Sequence, residues 1–143
     1  MFSKACEYAA RAVIYISAES TVDKKVGIAE ICEHILAPRH FTAKIMQILT
    51  RNHIVSSQKG LNGGFYLNPD QQEAKLADIV IAVDGGQLFS GCILGLTSCS
   101  ETEPCPLHLQ YKVIRSNIKN MLEESTINVM ASKLKAGDGF LKV

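Results

Sequence analysis

From His34 to Pro69 this chain has no aspartate or glutamate. The same window holds Arg39, Lys44, Arg51 and Lys59, together with His34, His40 and His53. The acids lie on either side of it, so a formal net charge of only +1 conceals a local basic face. Such a face suits a polyanionic partner, although a run of one charge sign is also what a plain solvated surface looks like. Other absences narrow the class. There is no basic-plus-apolar leader and no apolar run of membrane-spanning length. The expectation is a cytoplasmic protein with no membrane partner, in a compartment that keeps thiols reduced. The five cysteines are an odd number, which argues against a disulfide framework. No GK[ST] and no helix follow the glycines at 60, 63 and 64, which rules out a phosphate-binding P-loop. No paired base and orienting group accompany the thiols in sequence, so the chain is not expected to be an enzyme and a thiol-dependent one is a remote alternative.

What the chain does have is a thiol-rich segment from Gly91 to His108, GCILGLTSCSETEPCPLH. It carries Cys92, Cys99 and Cys105, with Pro104 and Pro106 flanking the last. Prolines and glycines make it poor helix and poor strand, yet it lies between two segments of helical periodicity. Thiols on a loop between rigid elements suit a soft-metal site. The length of 143 residues, nearly half of them apolar, supports one domain with an appended helix.

Before the loop, apolar spacing predicts helices over residues 2–18 and 26–34, then a third from Pro38 to Asn52 with Phe41, Ile45, Ile48 and Leu49 as its buried stripe. Two short helices joined by Leu36-Ala37-Pro38 form a helix-turn-helix pattern, without the usual turn glycine. In that motif the start of the second helix reaches base edges in the major groove. Arg39, His40, Thr42, Ala43, Lys44 and Gln47 fall near that start, off the apolar stripe. Next, Ile54–Ser57 and Phe65–Leu67 read as strands joined by Gln58-Lys59-Gly60-Leu61-Asn62-Gly63-Gly64, a hairpin in the position of a wing. Lys59, Asn62 and Gly63 are then DNA-contact candidates, although a plain glycine-rich loop has the same composition. A fourth helix is predicted over 74–83, ended by Asp84-Gly85-Gly86.

After the loop, a long helix is predicted from about Leu107 to Glu124. Leu107, Tyr111, Ile114, Ile118 and Met121 step by four, three, four and three, the seam of a dimerising coiled coil, or else a face packed on its own domain. A short helix capped by Ser125 or Thr126 should follow, with a loose tail from Lys133. The expected organisation is a winged helix-turn-helix unit over 1–86, a cysteine loop over 87–106, dimer and terminal helices over 107–132, and the tail over 133–143. The fold class is mainly α, with a β-hairpin wing.

With these pieces in place the chain resembles the IscR/NsrR-type winged helix-turn-helix regulators, which sense iron–sulfur status, nitric oxide or redox state. The carriers are Tyr8-Ala9-Ala10-Arg11-Ala12, Ile28-Ala29-Glu30-Ile31, Val55-Ser56-Ser57, the wing from Gly60 to Leu67, Ala82-Val83-Asp84-Gly85 and the three spaced cysteines. The resemblance covers nearly the whole chain. It implies a homodimer on double-stranded DNA with a palindromic operator, in a family of repressors and activators, and a repressor is the expectation here. It places His40, Thr42, Ala43 and Lys44 at base-reading positions. The family often has an acid where this chain has Ala43 and an arginine where it has Lys59, so the operator does not transfer.

The resemblance also implies a cluster, 2Fe–2S or 4Fe–4S, in each cysteine loop. Three cysteines give three ligands and a cluster normally takes four. The Cys105-x-x-His108 spacing offers His108 as the fourth; a family alternative is a carboxylate on the partner's first helix, matched here by Glu7. Structural zinc on the same cysteines and His108 is the alternative cofactor, and a metal-free thiol sensor the alternative loop. An aerobically prepared sample can come out empty or zinc-loaded.

Overall fold

The computed structural model describes every residue from Met1 to Val143. In chain order the elements are α1 (Lys4–Glu19), α2 (Ile28–Ile35), α3 (Arg39–Arg51), β1 (Ser56–Gln58), β2 (Gly64–Tyr66), α4 (Pro69–Gln72), α5 (Leu76–Asp84), α6 (Gln87–Ser90), α7 (His108–Glu124) and α8 (Ile127–Ala136). No helix is long and apolar enough to cross a membrane.

α1 is the central helix. The Ser3 hydroxyl starts it by accepting the Cys6 N–H at 3.0 Å. Its run of alanines then lets neighbours approach closely, and α2, α3, α5 and α8 all pack on it. Ala9, Ala12, Val13 and Ile16 are fully buried, as expected of a helix enclosed on most sides. Around them Ile31, Ile35, Ile45, Met46 and Leu49 complete the main core. Burying each large side chain contributes about 1.5–3 kcal/mol. A second, smaller cluster joins Cys6, Ala77, Val80 and Leu122, with Phe2, Leu88, Phe89 and Ile118 against it. It ties the start of α1 to α5, α6 and α7.

The helix-turn-helix is formed by α2 and α3. The turn glycine that the sequence lacks is replaced by Leu36 itself, at φ 53 and ψ 52. A left-handed residue with a Cβ costs about 1–2 kcal/mol. The buried stripe of α3 is Thr42, Ile45, Met46 and Leu49. The expected Phe41 and Ile48 are only half-buried. The helix is rotated so that Phe41 meets Tyr8 of α1 edge-on, ring centroids 5.7 Å apart.

The wing pairs Ser56 with Tyr66, Ser57 with Phe65 and Gln58 with Gly64, antiparallel. Val26, expected inside the second helix, instead exchanges backbone hydrogen bonds with Phe65 at 2.9 and 2.8 Å and adds a third edge to the wing. A Cβ on Gly63 would lie 2.2 Å from the Gln58 carbonyl oxygen, so the tip accepts only glycine there. Unforeseen from the sequence, α4 starts at Asn68, whose side chain and that of Gln71 form a reciprocal capping box.

At the far end, Thr126 caps α8 as expected. The stretch from Lys133 is not without structure: the helix continues to Ala136, Gly137 ends it in the left-handed region, and Leu141 packs against the main core. Of the large apolar residues in this stretch, Leu134 and Leu141 are half-buried, whereas Phe140 and Val143 stay exposed.

Candidate nucleic-acid interface and cysteine loop

The start of α3 presents Arg39, His40 and Lys44 to solvent, with Ala43 half-buried beside them. Thr42 is a correction to the expected set. Its side chain is fully buried and its hydroxyl donates to the Pro38 carbonyl at 2.9 Å, so it faces the core and the first turn rather than a ligand. Below Ala43 a groove runs between α3 and the wing, lined by Ala43, Gln47 and Thr50 on one side and Ser57, Gln58 and Lys59 on the other. Lys59 and Asn62 are exposed at the tip, Gly63 half-buried. Lys25 adds a cation that charge counting did not single out, its Nζ 5.0 Å from the Tyr66 ring centroid on the wing. Gln47 and Gln58 gain importance from the groove; only the one-turn spacing of Gln47 from Ala43 and Lys44 hinted at this. The groove is lined by no carboxylate, whereas His34 of the acid-free window turns to Tyr15 of α1 and His53 lies beside Asp70 and Asp78 on another face.

The segment from Gly91 to Leu107 is irregular, as its prolines and glycines require. It is anchored at its start by Arg115 of α7, which donates to the Gly91 carbonyl at 2.8 Å. Cys92, Cys99 and Cys105 are all half-buried and free. Gly95, at φ +73, folds the chain back so that its N–H reaches the Cys92 carbonyl at 3.0 Å. The N–H groups of Leu96 and Leu94 then face the Cys92 sulfur, and they hold its pKa below the ordinary thiol value, helped by the Cys105 thiol. Cys105 is pushed the other way, chiefly by desolvation.

His108 opens α7. The C-x-x-H step forms a tight turn in which the His108 N–H donates to the Cys105 carbonyl at 3.0 Å. The imidazole, 3% exposed, turns to a different cysteine: Nδ1 lies 3.3 Å from the Cys99 sulfur. Nε2 is buried without a hydrogen-bond partner; the Glu101 carboxylate is 3.4 Å away but out of hydrogen-bonding geometry. Glu101 is itself engaged by Lys112 and then by His108, which lower its pKa. Glu7 lies elsewhere, in the first turn of α1, with its carboxylate 2.9 Å from Lys4.

The loop therefore brings three thiols and one imidazole to one end of α7. No three His, Cys, Asp or Glu side chains are arranged to hold a single metal ion. The donor chemistry fits a thiolate-bound centre, and the backbone N–H groups facing the Cys92 sulfur and the His108 nitrogen without a hydrogen bond are features such a centre uses. A one-ion zinc site needs the loop to draw in further.

Of the seam residues, Leu107, Ile114 and Met121 are exposed, whereas Tyr111 and Ile118 are half-buried and Ile118 belongs to the second cluster. Leu109 and Val113 extend the exposed apolar face.

The chain matches the model of the Rrf2 family, described as iron-dependent transcriptional regulators, over residues 2–133. It is 30% identical over 129 residues to a protein of Aquifex aeolicus assigned as an HTH-type transcriptional regulator, covering 89% of this chain and 88% of that protein. The HTH-type transcriptional regulator IscR of Photorhabdus laumondii is 24% identical over 131 residues, 92% of this chain and 79% of its own. Two solved structures share the fold. CymR, the global cysteine regulator of B. subtilis, superposes with a TM-score of 0.73 at 20% identity, covering 92% of this chain and 96% of that one. T. potens IscR gives 0.73 at 15% identity, covering 97% and 91%.

Proposed function

The chain belongs to the Rrf2 family of transcriptional regulators, which are not enzymes, and from that premise we propose that it is a homodimeric DNA-binding regulator whose cysteine loop holds an iron–sulfur cluster. The observation that carries the sensing half is the pairing of Cys99 with a buried His108 whose other nitrogen makes no hydrogen bond and has only the Glu101 carboxylate near it, at 3.4 Å. A buried polar atom without a partner is rare in folded proteins. Cys92, Cys99, Cys105 and His108 are the residues that would hold the cluster, which when bound supplies a redox- and nitric-oxide-sensitive group. The DNA-reading half rests on Arg39, His40, Ala43 and Lys44 of α3, with Lys59, Asn62 and Gly63 of the wing, on a palindromic operator. Dimerisation through α7 would set the spacing of the two recognition helices.

A second reading has one observation in its favour. Because no three ligands converge on one ion, the same loop can act as a metal-free thiol sensor, with Cys92 as its reactive thiolate. Visible absorption of anaerobically purified protein separates the two. Charge-transfer bands with iron and sulfide at cluster stoichiometry support the first reading; a colourless protein without bound iron, reconstituted or not, leaves the second or the zinc alternative.

A further inference from the structure

The turn that presents a recognition helix often carries a glycine. Here it runs through Leu36 in the left-handed region, and the leucine side chain is 58% exposed, so packing does not hold it there. Two sets of hydrogen bonds do. From within α2, the Cys32 carbonyl accepts the N–H of Leu36 and that of Ala37, the latter at 3.1 Å. From α1, the Arg11 guanidinium donates to the carbonyl of Ile35, the residue before Leu36, at 2.9 Å. Arg11 is held in turn. Its guanidinium lies 4.8 Å from the centroid of the Tyr8 ring, and its Nε reaches the Glu7 carbonyl at 3.5 Å. Tyr8 meets Phe41, in the first turn of α3, edge-on. Arg11 is absent from the lysine–carboxylate ion pairs of the molecule, which are Lys4–Glu7, Lys112–Glu101 and Lys119–Glu123, and no carboxylate pairs with it. Its charge is directed at a backbone carbonyl instead.

We infer that Arg11 is a positioning residue for DNA reading: it holds the left-handed Leu36 turn and thereby fixes the angle at which α3 meets the major groove. A glycine at 36 would adopt this conformation unaided. The leucine requires a clamp, and Arg11 supplies it from the central helix. The inference rests on the reading of α3 as the recognition helix.

The test uses the full chain and a duplex that the parent protein enriches from a randomised pool, against a scrambled duplex of the same composition. Arg11→Met keeps a stem against Tyr8 and removes the donors. Its preference for the enriched duplex should fall roughly tenfold or more, the scale of one charge-assisted hydrogen bond. The dependence of affinity on salt should stay parental, because no phosphate contact is lost. Leu36→Gly should read DNA as the parent does. The double variant should recover to within about threefold of Leu36→Gly, because coupled residues are not additive.

Parental preference in Arg11→Met overturns the inference. So does equal weakening on both duplexes with a shallower salt slope, which makes Arg11 a phosphate contact. A double variant as poor as Arg11→Met also overturns it. If Arg11→Met fails to fold, a folded double variant supports the clamp and an unfolded one overturns it. If the parent enriches no duplex at all, the recognition-helix reading falls and takes this inference with it.

Discussion

Cys6 lies at 0% exposure against Ala77, Val80 and Leu122, and burial, with the Asp84 carboxylate beside it, pushes its pKa up to about 12. Cys92, facing the N–H groups of the Leu94–Leu96 turn, is shifted down. At neutral pH Cys6 then has roughly a thousandth of the thiolate fraction of an ordinary cysteine. In reduced, metal-free protein, iodoacetamide should modify Cys92 first and Cys6 last, and peptide mapping by mass spectrometry gives the order. Native Cys6 labelling as fast as Cys92 contradicts this assignment. The fourth ligand is also decided at single residues. His108→Ala and Glu7→Ala are reconstituted anaerobically and their cluster content and spectra compared with the parent. Loss or spectral change confined to His108→Ala is the expected result. A disturbed spectrum in Glu7→Ala alone transfers the role to Glu7, contributed by the partner subunit. The sequence offered both residues. What it could not convey is that His108 pairs with Cys99, nine residues back, because the loop's path depends on Arg115 holding its start and on Gly95 turning it.

At the scale of elements, α7 shows where periodicity stops being informative. The 4-3-4-3 pattern of Leu107, Tyr111, Ile114, Ile118 and Met121 is present, but one element has two apolar neighbours to satisfy. Ile118 turns into the cluster around Cys6 and Leu122, while Ile114 and Met121 remain 53% and 54% exposed. Ile114→Asp with Met121→Asp should therefore give monomers that melt as independent folded units, seen by light scattering. Ile118→Asp should lower stability by about 1–3 kcal/mol through an unpaired, half-buried charge. A double variant that stays dimeric removes α7 from the interface. The six longer helices, the hairpin and the cysteine loop were legible in the chain because period, glycine and proline are local signals, whereas the four-residue helices α4 and α6, the latter inside the stretch expected as loop from residue 87, are too short to show a period. The face of α3 was not: Thr42 is buried and Ile48 is not, since the rotation is set by α1 and the Tyr8–Phe41 contact. Leu36 gave no signal either, because a left-handed leucine is held by contacts from elsewhere. Val26 left its expected helix for a hydrogen-bonded partner 39 positions away, Phe65.

The whole molecule links the two halves of the proposal physically. The basic window spans α3 and the wing, and Lys44→Ala and Lys59→Ala should each reduce the slope of log affinity against log salt by about one per subunit. Parental slopes in both would make that face a bystander. The thiol loop lies away from this face but is not isolated from it. Arg115 holds the loop's start against α7. Leu88, Phe89 and Ile118 join Cys6 in the second cluster, beneath the first turn of α1. The Ser3 N–H and hydroxyl both donate to Asp84, the last residue of α5, two glycines before the loop's own short helix α6. Drawing Cys92, Cys99 and Cys105 together would therefore move α6 and α7 against the start of the central helix. In a dimer joined by α7, that motion alters the relation of the two recognition helices, and half-sites one helical turn apart, ~34 Å, tolerate little of it. The expected result is an affinity difference between reconstituted and metal-free protein of roughly 5–150-fold at matched salt, the usual range for coupled sites. Anaerobic fluorescence anisotropy on the enriched duplex measures it, and a variant with all three loop cysteines changed to serine should behave as the metal-free form. Equal affinities for the two forms overturn the switch, because a ligand with no preference between two states cannot shift the balance between them.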